Sequence, residues 1–272
     1  MDSMALLVIV TLTSVGLGCG IAIYLANRFL PEEDETLKAA EDINQYLPGM
    51  DCGACGHPGC FAYAREVAQD KSTLQETPCM SLMNDDEALC NLGQTLGVDL
   101  SGGVRKVAVI HCTGESEVIF EYQGVNTCKS AMQVSAGFKK CPYGCLGLGD
   151  CAEVCPVEAI SIDQEKKIAV VDPEKCIGCG LCVKECPNGL IELIPAEMPQ
   201  YLGCNYLSKK DIPGREKCSV GCIHCRLCVK AAKDDEVQWN DEKDLPYFDP
   251  EKCLPAPDSI EKCPRDIIIP RG

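Results

Sequence analysis

The chain opens with an apolar run. From Ser3 to Asn27 no charged residue interrupts it, which is enough helix to span a bilayer, since roughly 20 residues suffice. A cleaved signal peptide would begin with a basic stretch and carry a shorter apolar core; this chain begins Met1-Asp2-Ser3. A lipoprotein-like Cys19 after Leu17-Gly18 also lacks the basic start, so a retained helix is expected over 1–30. Arg28 follows it and nothing basic precedes it, which places the remainder of the chain on the cytoplasmic side. Residues 31–45 then turn acidic and polar and read as part of a solvated stalk over 31–48. Further on, the ten residues Phe61–Asp70, just behind Cys60, read as a helix. The stretch from Ala159 to Asp172 alternates about the polar turn Gln164-Glu165-Lys166-Lys167, the pattern of a hairpin. Paired glycines at 102 and 103 precede an apolar strand ending near Cys112.

These elements are short, and only 5% of the residues are aromatic, so one large core is not expected. Cysteine supplies the alternative: 23 of 272 residues fit small modules, each held by a staple. Disulfide scaffolds are usually short and secreted. Here the cysteines recur two apart and end in Cys-Pro, which is metal-ligand spacing. The formal charge of −16 and the lack of a basic stripe exclude nucleic acid as a partner.

The first group is Cys52, Cys55 and Cys60, in the spacing C-x2-C-x4-C, with Cys79 following after eighteen intervening residues. Four thiolates suit a 4Fe-4S cluster or zinc, and His57 is read as a loop residue. Cys176, Cys179, Cys182 and Cys186-Pro187 form the run C-x2-C-x2-C-x3-C-P. In a two-cluster ferredoxin the fourth cysteine of such a run ligates the other cluster. Cys155-Pro156 therefore completes Cys176, Cys179 and Cys182, and Cys186 joins Cys145 and Cys151. The middle cysteine of that upstream run is replaced by Leu148, and Cys141 is the nearest substitute.

A second such pair begins at Cys222, Cys225 and Cys228, but Ala232 stands in the fourth place. Its second half starts at Cys253 and continues Ala256, Ser259, then Cys263-Pro264. Crossed ligation sorts these losses: Ala232, Cys253, Ala256 and Ser259 are one erased site, whereas Cys222, Cys225, Cys228 and Cys263 survive intact. Cys112, Cys128, Cys204 and Cys218 remain as buried thiols or a further cluster, and Cys128–Cys141 and Cys204–Cys218 are separated by thirteen and fourteen residues, as in a duplication. At least four 4Fe-4S clusters are expected, and five if that last group binds one.

No GxGxxG opening a helix, P-loop or flavin signature appears, and no nucleophile-base or paired-carboxylate arrangement stands out. The expected chemistry is electron transfer. The fold class is α+β: a transmembrane helix over 1–30, the stalk over 31–48, a four-cysteine 4Fe-4S domain over 49–100, a linking α/β segment over 101–140, a ferredoxin-like pair over 141–200 and a degenerate pair over 201–272.

The order of helix, acidic stretch, C-x2-C-x4-C…C module and ferredoxin units, with the segments 51–60 and 141–156 its most specific parts, resembles the B subunits of the Rnf complexes. The resemblance implies an iron–sulfur subunit of a membrane complex in the cell membrane. Its donor would be soluble reduced ferredoxin, its partners the other Rnf subunits, and its electron flow coupled to sodium-ion or proton translocation. Two other readings compete: an electron-donor subunit of another membrane reductase, and a zinc-stapled binding module without redox function.

Overall fold

The computed structural model describes residues 3–29, 35–98, 100, 104–114, 116–207, 220–233 and 235–271, with side chains over 3–10 and 26–29 left aside. The first helix, α1 (Ser3–Phe29), carries no charged residue before Arg28. Among the described residues no helix is long and apolar enough to cross a membrane.

The expected solvated stalk is overturned from residue 35 onward. Helix α2 (Glu35–Asn44) packs along α3 (Cys60–Gln69), and Ala40 and Ile43 are almost fully buried, with Leu47 beyond them. Those three sit three and four residues apart, one stripe of a helix, and the charges between them mask it. Short helices α4 (Thr73–Glu76) and α5 (Met80–Met83) and the longer α6 (Asp86–Leu96) close this module. Asp85 caps α6 by accepting the Ala88 N–H at 3.0 Å, and Gly97 ends it in the left-handed conformation, a common C-terminal stop. The module has its own core of Tyr63, Val67, Leu82, Leu89 and Leu92.

The rest of the chain repeats one design. In the first ferredoxin unit β1 (Lys106–Ile110) pairs antiparallel with the much later β4 (Ile191–Pro195), Ile110 facing Ile191. Between them lie α7 (Cys128–Gln133), α8 (Asp150–Glu153), the hairpin β2 (Ile160–Asp163) and β3 (Ile168–Val171), and α9 (Leu181–Glu185). The alternating stretch from Ala159 is thus the hairpin it suggests, with Ile160 opposite Val171. The second unit repeats the plan. Strand β5 (Gln200–Leu202) pairs with the terminal β8 (Ile268–Pro270), enclosing α10 (Leu227–Ala231), the hairpin β6 (Gln238–Asn240) and β7 (Leu245–Tyr247), and α11 (Pro257–Lys262).

The β1–β4 ribbon lies between the two units. Residues two apart on a strand point to one face: Ala108 and Ile110 enter the core of the first unit, whereas Val109 enters the core of the second. This double burial explains why β1 shows no hydrophobic–polar alternation.

Candidate metal centres

In the first module the loop before α3 is wrapped by three features. The Asp51 carboxylate accepts the Cys60 N–H at 2.6 Å. Gly53 and Gly56 take φ of 68° and 90°, a region that costs glycine little. A side chain at Gly59 would place its Cβ 2.8 Å from Asp51 Oδ1. Cys55, Cys60 and Cys79 then pack against the module core. Burial pushes the Cys79 thiol up, and Cys55 and Cys60 add to it. The Tyr63 hydroxyl beneath them is raised to about 12, by burial first and then by Cys79. His57 rests its ring edge on Tyr63 at 5.2 Å. Cys52 is also near Cys179 of the next unit, whose thiol it helps to raise after burial.

In the first ferredoxin unit Cys155, Cys176, Cys179 and Cys182 gather into one group. Burial pushes Cys182 to about 12, followed by the neighbouring Cys179, Cys176 and Cys155. Backbone amides point at these sulfurs: Ala108 N–H donates to Cys176 Sγ at 3.4 Å and Ala159 N–H to Cys155 Sγ at 3.2 Å. The second group surrounds an apolar cavity lined by Cys145, Cys151, Cys186 and also Cys128. Ala169 N–H reaches Cys145 Sγ and Leu190 N–H reaches Cys186 Sγ, both at 3.5 Å. Burial raises Cys145 to about 11 and Cys151 to about 12.

The second unit places Cys222, Cys225, Cys228 and Cys263 around a comparable cavity closed by Trp239 and Ile267. Burial raises Cys222 to about 11, opposed by the N–H of His224 at 3.4 Å. Arg226 lies 4.5 Å over the Trp239 ring. Around Ala232, Cys253, Ala256 and Ser259 there is instead ordinary packing. Ala256 and Ser259 are fully buried, and Ser259 Oγ donates to the Cys228 carbonyl at 2.8 Å. The buried Gln200 gives its Nε2 to Leu254 O at 2.8 Å and takes the Ala256 N–H at 3.3 Å.

Such donor sets fit 4Fe-4S clusters. They are thiols only, walled by apolar groups, with amide N–H groups aimed at sulfur, the means by which proteins tune such clusters. Two family models match the chain, a 4Fe-4S dicluster domain over residues 140–190 and a putative Fe-S cluster domain over 47–76. Over 254 residues the chain is 34% identical to the B subunit of the Na(+)-translocating ferredoxin:NAD(+) oxidoreductase complex of Acetobacterium woodii, covering 92% of this chain and 73% of that protein. The chain belongs to the Rnf B-subunit family. It is also 30% identical over 269 residues to the B subunit of the proton-translocating ferredoxin:NAD(+) oxidoreductase complex of Clostridium ljungdahlii, covering 97% of this chain and 91% of that one. With the B subunit of the ion-translocating oxidoreductase complex of Methanosarcina acetivorans it shares 28% over 272 residues, 98% and 99% of the two chains.

In this Rnf-family chain the remaining cysteines divide. Cys112 and Cys204 face each other in an isolated antiparallel bridge. Their sulfurs take the N–H groups of Cys145 at 3.4 Å and Cys222 at 3.3 Å. Cys141 is buried in the same core as Cys204, with its N–H on Ser116 Oγ at 2.8 Å. Cys128 lines the cavity of Cys145, Cys151 and Cys186, and Cys218 is outside the described residues. Cys19 and Cys90 are exposed. Among the described residues no group of three or more His, Cys, Asp or Glu side chains is drawn together closely enough to hold a metal ion.

Four other side chains complete the centres and carry no motif in the sequence. Asn84 joins the first module to the ferredoxin unit: its Nδ2 donates to Ile177 O at 2.6 Å and Lys106 O at 3.3 Å, and its Oδ1 accepts the Lys106 N–H at 3.1 Å. Lys184 Nζ reaches Ala54 O at 3.1 Å from the other side. Asp150, buried, accepts the N–H groups of Cys128 at 2.7 Å and Lys129 at 3.3 Å. Lys139 is only 3% exposed and donates to Lys167 O at 2.7 Å. Burial pulls its pKa down, and the thiols of Cys145, Cys112, Cys128 and Cys141 oppose that. Its one trace in the sequence is a Lys139-Lys140 pair in an otherwise acidic chain.

Proposed function

We propose that this chain is the membrane-anchored electron-transfer subunit of an ion-translocating ferredoxin oxidoreductase complex. It takes electrons from soluble reduced ferredoxin and relays them to other Rnf subunits, coupled to sodium-ion or proton translocation. Support comes from the family and above all from one arrangement: cysteines from distant parts of each ferredoxin unit surround apolar cavities, with backbone N–H groups aimed at their sulfurs. Bound 4Fe-4S clusters supply the one-electron chemistry. The chain's own residues hold the thiolates, exclude water with Leu146, Leu190, Trp239 and Ile267, and offset added negative charge with amide dipoles and the Lys139 ammonium.

Cys52, Cys55, Cys60 and Cys79 are the proposed ligands of the first cluster. Cys155, Cys176, Cys179 and Cys182 hold the second, Cys145, Cys151 and Cys186 belong to the third, and Cys222, Cys225, Cys228 and Cys263 hold the fourth. The apolar helix α1 is the proposed anchor, with the cysteine-bearing part on the cytoplasmic side. Iron and acid-labile sulfide on anaerobically purified protein, with EPR of the reduced state, test the relay. About sixteen irons per chain or more are expected, four for each cluster; zinc without iron would overturn it. Deleting residues 1–30 should release the chain from membranes, and continued resistance to alkaline extraction would remove the anchor.

A further inference from the structure

The third cluster site has three cysteines in register and a leucine where a fourth is expected. The nearest cysteine along the chain, Cys141, is not the one that faces the cavity. The walls of that cavity include Cys145, Cys151 and Cys186, with Leu146 and Leu190, and the only other sulfur among them is Cys128. Cys128 comes from the first turn of α7, seventeen residues before Cys145, so only tertiary folding reveals it.

We infer that Cys128 supplies the fourth thiolate of the group formed by Cys145, Cys151 and Cys186. Two observations carry this. Cys128 lines the same cavity as Cys145, Cys151, Cys186 and Asp150, and Asp150 stands two residues after Leu148, the position at which the ferredoxin pattern expects a cysteine. The start of α7 is fixed from two sides. Asp150 accepts its N–H groups at Cys128 and Lys129, while Lys129 Nζ pairs at 2.6 Å with Glu185, next to Cys186. Thr127 adds the N-cap, accepting the Ser130 N–H at 3.2 Å.

Cys141 is held elsewhere. It lies in the core of the second unit with Cys204 and Tyr206, and the neighbouring Tyr143 sets its ring edge-on against Tyr206 at 5.5 Å. Cys141 therefore keeps company with Cys204, and through the facing bridge with Cys112. The left-over group consists of Cys112, Cys141 and Cys204 among the described residues, with Cys128 withdrawn from it.

The inference rests on the cluster reading proposed above, and the experiment separates the two. Cys186→Ala in the detergent-solubilised full chain identifies the EPR signal of the third cluster in the reduced protein. Cys128→Ala should abolish that same signal or convert it to a three-iron form. Cys141→Ala should leave it in place, whatever else it changes. Cys128→Ser, which keeps size and can ligate through oxygen, should retain the iron and shift the g-values of that signal alone; this guards against a misfolded alanine variant. An unchanged signal in both Cys128 variants, or its loss in Cys141→Ala, overturns the assignment. Wild-type protein without iron and sulfide overturns the cluster reading itself.

Discussion

Asn84 is the joint between the first module and the ferredoxin unit, and its removal should loosen that joint measurably. Its amide makes two hydrogen bonds at 2.6 and 3.1 Å and a third at 3.3 Å. A neutral hydrogen bond contributes about 1 kcal/mol net, and a partner left unpaired costs more. Asn84→Ala should therefore weaken docking by about 2–3 kcal/mol, the third contact adding little because Lys106 O and N–H share one side chain. At 1.4 kcal/mol per factor of ten this is about 30- to 150-fold in the docking equilibrium. The contact from Lys184 to Ala54 persists, so the module should open on its hinge and not unfold. Hydrogen exchange read by mass spectrometry is the assay. Peptides covering residues 80–110 and 172–186 should lose protection by that factor, while those in α2 and α3, in the module's own core, should not. Protection at both sites within about threefold of wild type would refute the reasoning, since a difference of that size corresponds to less than about 0.7 kcal/mol.

Gly147→Ala should be more damaging. At φ 74° its Cβ would clash with the Lys167 carbonyl oxygen and sit 2.7 Å from its carbon, which are backbone atoms with little room to move. A loss of about 3 kcal/mol in urea unfolding is expected from strain and overpacking, and less than about 1 kcal/mol would contradict it. Cys263→Ala should remove about four irons, one cluster, and leave the group of Cys176, Cys179 and Cys182 intact, whereas Cys253→Ala should leave iron unchanged; the reverse pattern would overturn the crossed ligation. The hydrogen bond from His111 Nε2 at 3.0 Å holds the Glu192 carboxyl below its ordinary 4.5. A lowered folded pKa gives stability that is present above 4.5 and lost as pH falls through the folded value. Glu192→Gln should thus lessen the drop in urea midpoint between pH 7 and pH 4, and an unaltered drop would show that Glu192 plays no part.

Much of the architecture is legible because ferredoxin units announce themselves twice, by Cys-Pro spacing and by the polar-centred hairpin that becomes β2 and β3. The pairing of β1 with β4 is not legible: β1 is buried on two faces and does not alternate, and the two strands lie about eighty residues apart. Helix α2 hides for the opposite reason. Its buried stripe of Ala40, Ile43 and Leu47 is too thin to stand out among acidic neighbours, and only the shape of α3 makes it worth burying. Within the proposed centres, the Cys-Pro spacing points to the cysteines of the ferredoxin runs and is silent about one from a distant element, such as Cys128, which lines the cavity of Cys145, Cys151 and Cys186. Asn84, Asp150 and Lys139 are beyond sequence reading altogether, since their roles depend on backbone groups about 20 to 90 residues away.

The packed remnant in the second unit has a consequence for the wiring that the proposed clusters would give it. In a two-cluster ferredoxin each centre has a twin, so the unit conducts straight through. Here the twin's place is taken by Ala256, Ser259 and Gln200, knitted together by hydrogen bonds. On the ligation proposed above, the group of Cys222, Cys225, Cys228 and Cys263 therefore has no twin within its unit. It neighbours Cys204, whose sulfur takes the Cys222 amide, and reaches the surface at Cys225, which is exposed. That exposed side is where such a centre would exchange electrons with a docked partner.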